Sequence, residues 1–108
     1  MSKKVFKNWF FLQLLLESPS LIQKKTLIKT ATSEQVKALS EVIANTLTGA
    51  LPLPPDGRNK LHRFREVFRE IAGKTTTLKR RKALLFKHMK PVLKLMTYVQ
   101  PVLKLMKK

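Results

Sequence analysis

The sequence predicts an all-α protein, a small bundle of four to five short helices with a basic amphipathic C-terminal segment. Three observations carry this. Apolar residues recur at helical spacing through most of the 108-residue chain. Leu and Lys outnumber the β-branched Val and Ile, and only three glycines are present, a composition that favours helix over strand. Ser20 and Thr32 are each followed three residues later by Gln, the signature of a capped helix start. With 44% apolar residues the chain can bury one modest core. One domain with tails is expected: an apolar N-terminal helix over 1–17, a helical core over 18–74 with a proline-rich connector at 51–57, and the basic amphipathic segment over 75–108.

The chain opens on Met1-Ser2-Lys3-Lys4 and an apolar run from Val5 to Leu16. A charged start before an apolar run has the outline of a signal peptide, but Lys7 and Asn8 interrupt the run and Glu17-Ser18-Pro19-Ser20 is a poor cleavage site. The run is also shorter than the roughly 20 residues that span a bilayer. A buried or partner-docking helix is expected there. Ser20 with Gln23 then opens a short helix through Leu21, Ile22, Leu27 and Ile28, and Thr32 with Gln35 opens the next. In that helix Val36, Leu39, Ile43 and Leu47, with Val42 alongside, form a core-facing stripe that Gly49 closes.

Leu51-Pro52-Leu53-Pro54-Pro55-Asp56-Gly57 is expected to be extended or turning, because prolines at this density do not sustain a helix. Leu61, Phe64, Phe68 and Ile71, with Val67 beside them, give the clearest amphipathic pattern in the chain, ended by Gly73. Thr75, Thr76 and Thr77 supply cap candidates for a helix in which Leu78, Leu85 and Met89 share a face. The hexapeptide Pro-Val-Leu-Lys-Leu-Met then occurs at 91–96 and again at 101–106. Leu85, Met89, Val92, Met96, Val99, Leu103 and Met106 alternate at spacings of 4 and 3, with Lys87, Lys90, Lys94, Thr97, Lys104 and Lys108 largely on another side. Breaks are expected near Pro91 and Pro101.

Charge narrows the function. The net charge is +17, from 23 Lys and Arg against six Asp and Glu. Residues 1–54 hold seven Lys against three Glu, a net +4; residues 55–108 hold sixteen cations against three acids, a net +13, and no acid follows Lys74. Such an excess points to a polyanionic partner. The absence of cysteine excludes disulfides, thiolate catalysis and Cys-based zinc sites. His62 and His88 are 26 residues apart, and Glu66 and Glu70 are flanked by Arg65 and Arg69, so no catalytic residue, metal ligand or cofactor site is expected.

Arg58, His62, Arg65 and Arg69 recur at spacings of 4, 3 and 4 as a ridge beside the apolar stripe, and the arginine fork suits phosphate. The competing reading is a solvated face on which Glu66 pairs with Arg69 and Glu70 with Lys74. Lys79-Arg80-Arg81-Lys82, followed by Lys87 and Lys90, lies at the positive end of a helix with no compensating acid, so a bound anion is expected there; the same four residues also fit a nuclear import signal. No zinc-finger, RNP, KH or basic-zipper pattern appears, so contacts to nucleic acid would position the protein without reading bases. The alternative is an anionic membrane surface, or a second copy or capsid partner, contacted by Trp9, Phe10, Phe11, Val92, Met96, Val99, Leu103 and Met106.

From about residue 18 to 87 the chain resembles short basic proteins of Polinton (Maverick) elements and the related adintoviruses. The residues that carry the resemblance are Thr26-Leu27-Ile28-Lys29-Thr30-Ala31, Lys37-Ala38-Leu39-Ser40-Glu41, Asn45-Thr46-Leu47-Thr48-Gly49, Pro52-Leu53 and Arg80-Arg81-Lys82-Ala83-Leu84-Leu85. The resemblance implies a small structural or genome-associated protein of a double-stranded DNA virus-like element, in a virion or a nucleus, similar in role to adenovirus core proteins. The Phe-rich start and the repeated hexapeptide lie outside it.

Overall fold

A computed structural model of the chain describes residues 2–107; Met1 and Lys108, each named in the sequence reading, lie outside them. The described residues form α1 (Lys3–Lys7), α2 (Trp9–Glu17), α3 (Leu21–Thr30), α4 (Ser33–Leu47), α5 (Pro55–Leu61), a 3₁₀ turn (His62–Phe64), α6 (Arg65–Ala72), α7 (Leu78–Lys87) and α8 (Met89–Met106), with no strand among them. The all-α bundle is as expected. Asn8, the 3₁₀ turn and His88 merely interrupt otherwise continuous runs, which leaves five helical runs.

Three of these helices start on a hydroxyl that accepts a first-turn backbone N–H. Ser20 Oγ takes the Gln23 N–H at 3.1 Å, Thr32 Oγ1 that of Gln35 at 3.1 Å and Thr77 Oγ1 that of Arg80 at 3.2 Å. At Thr32 the box is reciprocal, because Gln35 Oε1 accepts from the Thr32 N–H at 2.9 Å. Gly49 ends α4 with φ +85°, a left-handed conformation that an L side chain adopts at a cost. The chain then turns back, with the Leu51 N–H donating to the Asn45 carbonyl at 3.0 Å.

Two expectations change at the prolines. Residues 51–57 are not extended throughout, because α5 begins at Pro55. The first helical position has no use for the missing N–H, and its φ is already helical. Gly57 therefore sits in α5, where a Cβ would lie 3.2 Å from the Tyr98 ring, so its lack of a side chain lets α5 lie against α8. The second change concerns α8, which runs unbroken through Pro101. Pro101 and Thr97, whose carbonyl loses its donor, are both exposed, so water can replace the bond. The opposite stripe of α8 is buried and holds the helix in place. Near Pro91 the break is real but earlier, at His88, which leaves Pro91 in the first turn of α8 where no N–H is needed.

The core gathers around α4, on which α1, α6, α7 and α8 pack. Val36, Leu39, Val42 and Ile43 are fully buried, and Leu47, the last residue of the predicted stripe, is partly exposed. Core residues run from Val5 in α1 to Leu103 in α8, so the three expected segments share one hydrophobic core, in a body of 33 × 32 × 30 Å. The Leu61–Ile71 pattern is divided by the 3₁₀ turn, whose tighter winding shifts the phase of the face. Leu61, Phe68 and Ile71 are buried while Phe64 and Val67 remain half-buried.

The two copies of the hexapeptide differ in environment. Leu95 and Met96 are buried, while their counterparts Leu105 and Met106 are 86% and 40% exposed. A shift of ten residues turns an α-helix by about 1,000°, some 80° short of three full turns, so the copies face different directions.

Replacing Gly49 by Ala should lower stability by about 1 kcal/mol, read as a reduced guanidinium midpoint with unchanged helical circular dichroism. An unchanged midpoint would contradict the left-handed assignment.

Candidate nucleic-acid interface

The structure divides the predicted cations into held and unheld groups. In the 79–82 cluster, Arg80 lies across Glu70, with Nε at 2.6 Å from Oε2 and Nη2 at 3.3 Å from Oε1. This bidentate pair holds the Glu70 carboxyl below its ordinary pKa and raises that of Arg80. Arg81 Nη2 donates to the Gly73 carbonyl at the end of α6 at 2.6 Å, and Lys82 Nζ donates to the Lys29 carbonyl near the end of α3 at 3.1 Å. Three of the four cations thus already have protein acceptors. Glu70 and two backbone carbonyls supply acceptors that the local sequence did not show, while the buried Arg81 Nε has no hydrogen-bond partner among the described residues. Lys79 is exposed and makes no such contact.

In the ridge, Glu66 holds Arg69 at 2.9 Å as the solvated-face reading expected, but Glu70 pairs with Arg80 rather than Lys74. Arg58, His62 and Arg65 are exposed and border a separate cleft.

A different concentration of charge forms where α3, α5, the 3₁₀ turn, α7 and α8 meet. Lys25, Arg63, Lys87, His88 and Lys90 line one groove of about 360 Å³, together with Phe64 and Phe86. It adjoins a second groove of about 180 Å³ lined by Lys60, Arg63, Lys90 and Lys94, and the two share Arg63, Phe64, Lys90 and Pro91. No acidic side chain lines either groove. Lys25 Nζ stands 4.8 Å from the centre of the Phe86 ring, and the Arg63 guanidinium 4.8 Å from that of Phe64, so these two cations are set by cation–π contact and not by carboxylates. Lys60, by contrast, lies 3.3 Å from Asp56, whose carboxyl is held below its ordinary pKa by hydrogen bonds from Lys60 and then Tyr98.

Of the predicted contacts, Lys87 and Lys90 fall in this groove and Arg58, Arg65, Arg69 and Lys79 do not. Lys25, Lys60 and Arg63 line the grooves without having been singled out from the sequence, and Lys94 was recognised only as part of the lysine side of α8. Their signal is tertiary: Lys25 lies some 60 residues before Lys87, and no local pattern joins them.

The predicted membrane or partner residues are mostly withdrawn from the surface. Phe11, Val92, Met96, Val99 and Leu103 are core residues, because the apolar stripe of α8 and the inner face of α2 complete the bundle. Trp9 is half-buried beside Phe6; Phe10, 79% exposed, and Met106 remain outside. No helix among the described residues is long and apolar enough to cross a membrane, and no group of three or more His, Asp or Glu among them could hold a metal ion.

Comparison with protein-family models, with curated proteins and with solved structures finds no match.

Two outcomes follow from the held cations. Glu70 and Asp56 have folded pKa values below their unfolded ones, so their contribution is present above the unfolded value and is lost as pH falls through the folded one. Denaturant midpoints should stay level down to about pH 5 and then fall, and Glu70→Gln should make the fall shallower; a parallel profile would refute the Glu70–Arg80 link. Lys24 Nζ, its pKa lowered by burial, donates to the Leu15 and Leu16 carbonyls at 2.8 and 2.7 Å at the end of α2. Lys24→Met should therefore cost about 1–2 kcal/mol in chemical denaturation, since it leaves two carbonyls without a donor.

Proposed function

We propose that this is a non-enzymatic, largely sequence-independent nucleic-acid-binding protein that takes double-stranded DNA on the basic groove of Lys25, Arg63, Lys87, His88 and Lys90. The observation that carries this reading is that the groove gathers cations from four separate elements without a single lining carboxylate. Bringing like charges together costs free energy that a phosphate backbone recovers on binding, with release of its counterions. The extension through Lys60 and Lys94 lengthens the track along which successive phosphates can lie. Nothing in it presents a rigid array of donors to base edges, in keeping with contacts that position without reading sequence. The resemblance to small basic proteins of Polinton elements and adintoviruses supports a setting in a virion core or nucleoprotein.

The membrane reading is the weaker one, because most of the apolar side chains it required are in the core. The exposed cations would still attract anionic lipid, but the apolar side chains left outside, such as Phe10, Ile22 and Leu105, are spread over α2, α3 and α8 and are not the stripes that reading used.

Fluorescence anisotropy on random-sequence duplex DNA should show affinity falling by orders of magnitude between about 50 and 200 mM salt. The triple variant Arg63→Gln/Lys87→Gln/Lys90→Gln should weaken binding by at least about tenfold on every sequence and reduce the salt slope by up to about 3. Binding absent at low salt, or a triple variant that binds as the parent does, would overturn the proposal.

A further inference from the structure

The second cleft lies on the other side of Leu61, which lines both it and the smaller basic groove. It measures about 370 Å³, within the range of small-molecule sites. Its floor is aliphatic core, with Leu51, Leu61 and Leu95 buried, and its wall is the α4 end and the loop to α5, from Leu47 to Leu53. Arg58, His62 and Arg65 stand along one rim, at spacings of 4 and 3 that place them on one face of the helical run. Among the described residues none of the three is paired to a carboxylate, and no carboxylate lines the cleft.

The interior chemistry limits what can enter. Thr46 and Thr48 are the polar side chains of the α4 wall, and both hydroxyls donate to backbone carbonyls, Val42 at 2.8 Å and Asn45 at 3.2 Å. Neither proton is left for the edge of a base or a sugar. Phe68 is 2% exposed and offers no ring face for stacking inside the cleft; the exposed ring at this site is the His62 imidazole, on the rim. A nucleotide therefore finds partners at the rim alone and none in the aliphatic interior. An aliphatic chain finds leucine walls, and a single anionic head finds two guanidinium forks at the rim. The carbonyl end of α4 repels an anion at the opposite wall, which fixes the head at the Arg58–Arg65 side.

We infer that this cleft is a binding site for a single-chain anionic amphiphile, its alkyl chain along the accessible apolar side chains Leu47, Pro52 and Leu53, over the closed floor of Leu51, Leu61 and Leu95, and its carboxylate or phosphate head at the Arg58–Arg65 rim. The site is independent of the DNA reading, since the basic grooves do not use these arginines.

Calorimetric titration of the full chain with dodecanoate, kept below micelle formation at fixed ionic strength, should give saturable one-to-one binding that strengthens from octanoate through decanoate. Dodecyl phosphate binding more tightly than dodecanoate identifies a phosphate head, and the reverse a carboxylate; either supports the site. Arg58→Gln/Arg65→Gln, two exposed positions whose replacement should leave thermal unfolding unchanged, should weaken dodecanoate at least tenfold and leave decanol unaffected. Amide shifts on binding should fall at Thr46 to Leu53 and Arg58 to Phe68. Non-saturable binding, equal loss for decanol, or loss caused instead by Arg63→Gln/Lys87→Gln/Lys90→Gln would overturn the inference, as would failure to bind dodecanoate by a protein that takes a Leu- and Glu-rich peptide in the cleft.

Discussion

Twenty-three cations and six acids must be folded around one apolar core, and the structure meets this by using backbone carbonyls as counter-charges. Lys24 holds the end of α2, Lys82 the end of α3 and Arg81 the end of α6. The Lys24 and Lys82 bonds satisfy carbonyls that a helix leaves without donors, the Arg81 bond adds to a carbonyl that also accepts from the Thr76 N–H, and each joins one element to another: α3 to α2, α7 to α3, and α7 to the residue that follows α6. The acids are disposed in the same spirit. Glu70 ties α6 to α7 through Arg80, and Glu41 in α4 accepts from the N–H and hydroxyl of Ser2 ahead of α1. Removing positive charge from α7 is therefore not equivalent to removing a DNA contact, because much of that charge holds the bundle.

This separates cations by what they face. Those beside helix ends are structural, and those set by aromatic rings or standing over the leucine cleft are free to meet an outside anion. Leu61 sits between the two unsatisfied sets, with a basic aromatic groove on one side and an aliphatic cleft with an arginine rim on the other. A different anion chemistry is proposed for each surface, a repeating phosphate backbone for the groove and a lone head group on an alkyl chain for the cleft.

Local signals were legible in the sequence. Ser20 and Thr32 cap where their spacing to Gln23 and Gln35 says they should, Thr77 is the cap among the three threonine candidates, Gly49 takes the left-handed turn, and Val36, Leu39, Val42 and Ile43 face inward. What depended on neighbours in space was not. Pro55 looked like part of a stiff linker because its role as a first helical residue needs a helix to follow. Pro101 looked like a break because the stripe that holds α8 was not yet known to be buried. The cluster at 79–82 looked unbalanced because its acceptors, Glu70, Gly73 and Lys29, are supplied by other elements, and the basic groove was invisible for the same reason.

The repeated hexapeptide shows how a tandem duplication meets the periodicity of a helix. Its second copy carries the same residues as the first, yet Leu105 points to water where Leu95 fills the core. Identical words thus meet different constraints: the first copy buries Val92, Leu95 and Met96, whereas in the second Leu103 is the fully buried residue and Leu105 is free of packing. Such a duplication lengthens a helix without adding a structural module. A further copy would again be rotated by about 80° away from its neighbour, so growth by this unit spirals away from the bundle and cannot build an array.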